Sequence, residues 1–192
     1  MTNLNPLQFL DRVSTPANML IEPEPNDEQL AQIFKAAMNA PDHKRLKPYR
    51  FITIRGEARQ ALSEVFINAV KIRKPDVDAA YLEKQGQKPL RSPLIVVLVA
   101  SLQDDPKVPE IEQMLCTGAV ANIMILAINA LVFGSFWLTG DNTYDANVCR
   151  PLGLADSERI IGFIYMGTPK VKMPNREILN LSDKVMDWVK PL

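Results

Sequence analysis

The sequence predicts an α+β fold, and three kinds of pattern carry that expectation. Two long segments show amphipathic helical stripes, one seven-residue run is apolar throughout, and shorter strand-like stretches lie in the second half of the chain. In order they read as helices, strand, helix, strand, helix, strand, strand, which fits helices packed around a small sheet.

The segment LNPLQFL, residues 4–10, sets Leu4, Leu7 and Leu10 at near-helical spacing and predicts a short amphipathic helix. DRVSTPAN interrupts it, and EPEPN is an extended linker because each proline biases its predecessor away from helix. Asn26, with Gln29 three positions on, is a capping-box pattern. Leu30, Ile33, Phe34, Ala37 and Met38 then form one apolar stripe until Pro41 ends the helix. YRFITI is a strand. The next helix repeats the stripe with Leu62, Val65, Phe66, Ala69 and Val70. Residues 74–92 are polar and rich in breakers, so they predict a mobile helical excursion over the surface. LIVVLVA, residues 94–100, is the pattern of a strand buried on both faces. After a long apolar helix, GSFWLTGDN is a strand or turn, NVCRPLGL a short helix ending at Gly153, and residues 159–167 a further strand. Residues 173–192 are an extended tail.

Composition narrows the function classes. A chain of 192 residues fits a single domain over 1–192. Its 22 basic and 22 acidic residues cancel, leaving no global basic field to recruit nucleic acid, so any anion site is local. Cys116 and Cys149 lie far apart without CxxC or Cys/His spacing, which fits a reduced intracellular pair. The first residues lack the basic start and apolar run of a signal peptide, so the expected compartment is the cytoplasm. Residues 114–133 carry no charge and are long enough to span a bilayer. Thr117, Asn122 and Asn129 interrupt them and basic flanks are missing, so a buried helix of a soluble fold or dimer is expected, without membrane insertion.

The common catalytic motifs are absent. One histidine with no HExxH, CxxC or DxDxDG predicts no metal site. There is no GxSxG elbow, no GxGxxG and no GxxxxGK[ST]. A pairing of Cys116 or a serine with His43 stays open, against Cys116 as a small core residue. Arg12 and Ser14, at the end of the first helix, fit either a grip on a phosphate and its attached sugar or ribityl oxygens or an ordinary turn. Lys170 and Lys172 follow a strand and either add charge at the same anion or are solvated. The stretch APDHKRLKPYRF places the only histidine, His43, among cations. Those cations fit a helix C-terminal charge bias for Lys44 and Arg45, which leaves His43 unexplained.

LDRVS, APDHKRLKPYRF, KVPEIEQMLCTGAVANIMILAINA, FGSFWLTG and IIGFIYMGTPKVK occur in this order. Together they resemble the nitroreductase family, in particular its short NAD(P)H nitroreductase branch, over residues 4–172. The resemblance implies a nitroreductase-like fold: a central, mostly antiparallel sheet flanked by helices, and a long buried helix at a homodimer interface that holds FMN. Carried over by position, Arg12, Val13 and Ser14 match the segment at the FMN phosphate and ribityl chain, with Lys172 a basic residue near the phosphate. Asn39 and His43 match positions that reach the flavin from the partner subunit. Trp137, Leu138 and Thr139 match the segment along the isoalloxazine, where a backbone N–H faces N5. Ala127, Ile128, Asn129, Ala130, Leu131 and Val132 match a proposed nicotinamide segment.

Two positions depart from the family pattern. Val13 stands for the second arginine of Arg-Arg-Ser, and Leu138 for the arginine of Trp-Arg-Ser, which removes two donors. The implied activity is an FMN-dependent oxidoreductase that passes hydride from NAD(P)H through flavin to a nitroaromatic, quinone or similar acceptor. A non-catalytic flavin-binding protein, a flavin-cleaving relative, or a dimeric scaffold without cofactor stand as alternatives. No side chain is named as an obligatory acid or base, since the flavin carries the hard step.

Overall fold

LIVVLVA becomes β3 (Leu94–Ser101), and its first seven residues are buried because helices cover both faces. Leu94, Val96 and Leu98 face one apolar layer, and Ile95, Val97 and Val99 face the other. β2 (Tyr49–Arg55) pairs along one side of β3 and β5 (Glu158–Pro169) along the other. β4 (Gly134–Leu138) pairs with the far side of β5, and a two-residue β1 (Leu20–Ile21) pairs with Thr168 and Pro169. Every pairing is antiparallel, and the order is β2–β3–β5–β4. This is an α+β fold, seen in a computed structural model that describes Leu10, residues 14–174, Asn180, Ser182 and residues 184–188.

α1 (Asp27–Ala37) begins with the expected capping box: Gln29 N–H donates to Asn26 Oδ1 at 2.9 Å, and Asn26 N–H to Gln29 Oε1 at 3.0 Å. Leu30, Ile33 and Ala37 are buried from its stripe, but Met38 is exposed. α2 (Ala58–Arg73) buries Leu62, Phe66, Ala69 and Val70 on the opposite face of the sheet. The apolar helix is α4 (Glu110–Ala130), packed beside α1. By length and composition it passes as a membrane span, yet Cys116, Val120, Ala121, Met124, Ile125 and Ile128 are buried in the core of this layer. The expected long buried helix is buried on one side only: Ile111 and Leu115 are 62% and 66% exposed.

Residues 74–92, expected as a helical excursion over the surface, are helical in part and mostly exposed or half-buried. They form α3 (Ala79–Gly86) and a 3-10 turn at Lys88–Arg91, with Gln85, Gly86, Pro89 and Ser92 buried. Gly86 lets α3 press onto α2, since a Cβ there would lie 2.7 Å from Ile67 Cδ1. Arg59 Nη1 donates to the Ser92 carbonyl at 2.8 Å and fixes the exit into β3. Two one-turn helices, α5 (Asp141–Tyr144) and α6 (Ala146–Cys149), precede β5. Both cysteines are free. The helix predicted over 4–10, apart from exposed Leu10, lies outside the described residues, as do Arg12, Val13 and much of the tail at 173–192.

Candidate functional site

β4 is an edge strand, and its sequence-predicted residues sit where the edge opens. Thr15 N–H donates to the Ser135 carbonyl at 3.0 Å from the side away from β5. Backbone groups of alternate residues point to alternate sides of a strand, so Trp137 turns its N–H to that same free edge. The Trp137 indole is held from below. A β-bulge opposite Leu98 and Val99 leaves Ile161 out of the ladder, and its carbonyl accepts the indole N–H at 3.3 Å. The following Gly162 leaves room for the ring: a Cβ there would lie 2.0 Å from Trp137 Nε1.

Leu138 and Thr139 wall a cavity of about 280 Å³. Arg73, Gln85, Lys88, Arg91 and Tyr165 also line it. Arg73 is engaged with Asp145 and Asn142, and Asp141 lies 3.9 Å from it and 4.0 Å from Lys74. Lys88 and Arg91 have no ion-pair partner among the described residues. Burial pushes the Lys88 ammonium's pKa down, and the neighbouring Arg91 adds to the effect. The Gln85 carboxamide and the Tyr165 hydroxyl, on residues 7% and 2% exposed, also have no partner among the described residues. Asp141 also lines the hollow, but Arg73, Lys88 and Arg91 outnumber it, and the surplus of positive charge with two idle polar groups favours an electron-rich, partly anionic guest.

Ser14 is half-buried just before Thr15, beside the start of β4, and Lys172 is exposed beyond β5. Lys170 N–H donates to the Met19 carbonyl at 2.8 Å, which brings the end of β5 to the same corner as Ser14. Residues 127–132 form the last turn of α4 and its exit into β4. Ile128 is buried, Ala127, Asn129 and Leu131 are half-buried, and Ala130 and Val132 are exposed. Val132 N–H donates to the Asn129 carbonyl at 3.0 Å and Phe133 N–H to the Ile128 carbonyl at 3.1 Å, a Schellman closure. Val132 thereby occupies, at φ 65°, the place where glycine is customary.

Asn39 and His43 lie elsewhere. They follow α1 and precede β2, so within one chain they stand at the opposite edge of the sheet from β4. Asn39 Nδ2 donates to the Lys35 and Ala36 carbonyls at 2.9 and 3.2 Å. Lys44 reaches Asp105 at 2.6 Å, so the helix C-terminal charge bias is not its role; Asn39 serves the end of α1 instead. His43 Nδ1 contacts Glu112 Oε2 at 2.7 Å. Cys116 is buried, and burial raises its thiol pKa, the opposite of an activated nucleophile. A larger hollow of about 480 Å³, walled in part by Met114, Cys149 and Arg150, contains none of the expected cofactor or substrate residues.

The nitroreductase family model matches residues 20–168. The chain belongs to the nitroreductase family. It is 37% identical over 156 residues to YdjA of Escherichia coli (strain K12), designated an NAD(P)H nitroreductase by inference, covering 81% of this chain and 84% of YdjA. Among solved structures, the nitroreductase-like family protein from Bacillus cereus superposes with a TM-score of 0.82 at 19% identity, covering 97% and 98% of the two chains. A nitroreductase from Desulfovibrio desulfuricans, crystallised in complex with FMN, gives 0.73 at 19% identity, covering 98% and 100%.

Against this nitroreductase frame, the sequence reading missed Gln85, Lys88, Arg91 and Tyr165 at the cavity and Glu112 beside His43. Lys88 and Arg91 sit in the breaker-rich stretch read as surface excursion. The signal that marks them is the buried strand beginning immediately after, at Leu94.

Proposed function

We propose that the chain is an FMN-dependent oxidoreductase that takes hydride from NAD(P)H and passes electrons to a nitroaromatic, quinone or similar acceptor. It works as a cytoplasmic homodimer of single nitroreductase-like domains. The observation that carries this reading is the cavity between Leu138–Thr139 and Lys88–Arg91, where three cations outnumber the one lining carboxylate, Asp141, beside an edge strand. The FMN complex of the Desulfovibrio relative supports the cofactor, and the designation of YdjA supports the donor.

Bound flavin supplies the redox chemistry, accepting hydride and delivering electrons. This chain's residues bind and orient it. Ser14 and Lys172, with Arg12 and Val13, hold the phosphate and ribityl end. The Trp137 N–H offers a donor along the β4 edge to the ring held by Trp137, Leu138 and Thr139. Lys88 and Arg91 would supply positive charge to favour the anionic form of a flavin bound there. Asn39 and His43 contribute from the second copy, since one chain puts them on the far edge. Residues 127–132 border the donor's approach.

The test is colour and reduction. Purified protein is expected to bind one FMN per chain, and excess NADH or NADPH should bleach the flavin absorbance within seconds in stopped flow. A second reading, flavin binding without turnover, is favoured by Leu138, whose side chain packs toward the α2 layer and supplies no charge. Flavin that stays oxidised for minutes under either donor selects that reading. Protein that takes up no FMN overturns both.

A further inference from the structure

We propose that Glu112 is a positioning residue for the flavin site: it holds the His43 imidazole by Nδ1, so that Nε2 is the nitrogen presented to the flavin held by the second copy of the chain. This rests on the flavin reading above and adds to it a residue from another element.

The contact is a 2.7 Å hydrogen bond between the first turn of α4 and a loop 69 positions away in sequence. A carboxylate only accepts, so the ring hydrogen sits on Nδ1 and the tautomer is fixed. Nε2 is then an acceptor in the neutral ring, and gaining a proton turns it into a donor. The loop itself is pinned. Lys44, Arg45 and Lys47 all have left-handed φ values, 58°, 57° and 50°. Asp42 accepts from Leu46 N–H at 3.1 Å and Lys47 N–H at 2.8 Å, and Gln103 Nε2 donates to the Leu46 carbonyl at 2.7 Å. With Lys44 tied to Asp105, the backbone carrying His43 has little freedom, and Glu112 removes that of the ring.

A stability role does not account for the pair. The two side chains are 52% and 45% exposed, and exposed ion pairs contribute little to folding. Three residues of one loop held in the left-handed region cost stability, and such conformations cluster at functional sites. The pair also stands on the sheet edge away from the cavity, where a second copy can meet it.

The test is a double-mutant cycle on FMN affinity, read by quenching of flavin fluorescence, with thermal melts of all four proteins. Glu112→Gln keeps the shape and weakens the acceptor; it should raise the FMN dissociation constant roughly tenfold when His43 is present. In the His43→Ala background the same change should move it less than about twofold, with melting temperatures nearly unchanged. Equal losses in both backgrounds, or no loss from Glu112→Gln, overturn the proposal while leaving the flavin reading intact. A wild-type chain without FMN affinity overturns the flavin reading, and this proposal with it.

Discussion

Glu158 gathers four groups at the start of β5. Arg50 Nε and Nη2 each donate to it at 2.7 Å, Ser101 Oγ at 2.7 Å and Ala155 N–H at 3.0 Å. One carboxylate thus ties β2, β3 and β5 together at one end of the sheet. The Arg50 guanidinium, ahead of the other donors, lowers its pKa from 4.5 to about 2. A depressed folded-state pKa means that the stabilisation is complete above the unfolded value and is lost as pH falls through the folded one. The wild type should therefore lose about 2 kcal/mol between pH 4.5 and 2 from this group, less than the full linkage value because Arg50 is partly exposed. Glu158→Gln should flatten that part of the curve in urea denaturation measured across pH; an unchanged acid limb assigns it to other carboxylates. None of this was legible in the sequence, because Arg50 and Glu158 are 108 positions apart. The Asn26 cap was legible, because its partner Gln29 is three residues away and the bond is local.

At the scale of elements, the end of α4 departs from its own rules. A β-branched residue in the left-handed region costs about 1–2 kcal/mol, and Val132 bears that cost while 82% exposed, with little burial to offset it. Val132→Gly should raise stability by about 1 kcal/mol in chemical denaturation, since the Schellman closure needs no side chain there. A destabilised variant would mean that the valine packs in the assembled protein. Helical stripes and the apolar β3 run were legible because periodicity reports burial directly. β1 was not, since two residues carry no period; it forms because β5 runs on to Pro169 and offers it an edge. In residues 74–92 the helix was legible but its anchoring residues were not. Their polar residues hide the small set, Gly86, Pro89 and Ser92, that anchors them.

At the scale of the whole molecule, the β4 edge with its cavity and the loop of Asn39 and His43 beyond β2 lie on opposite edges of one sheet, and the proposed function makes them two half-sites. The face of α4 carrying Ile111 and Leu115 is apolar and exposed, the kind of surface an obligate interface covers. Sedimentation should give a mass twice 21.5 kDa. Leu115→Glu should weaken dimerisation by about tenfold or more and release FMN in step, since burying an unpaired carboxylate is costly. A variant that is monomeric yet keeps its flavin would mean that one chain builds the whole site. The family's outline, from Ser14 to Lys172, was legible in motif order, whereas the convergence of Lys88, Arg91 and Leu138 required the sheet that brings the intervening chain back on itself.

The seating of Trp137 over Gly162 has an optical consequence. The chain has two tryptophans, and the other, Trp188, is 84% exposed. Emission should therefore separate into a blue component from the sheltered indole and a red one from the watery tail. Whatever settles along the open strand should dim the blue light alone, so the protein contains its own gauge of occupancy.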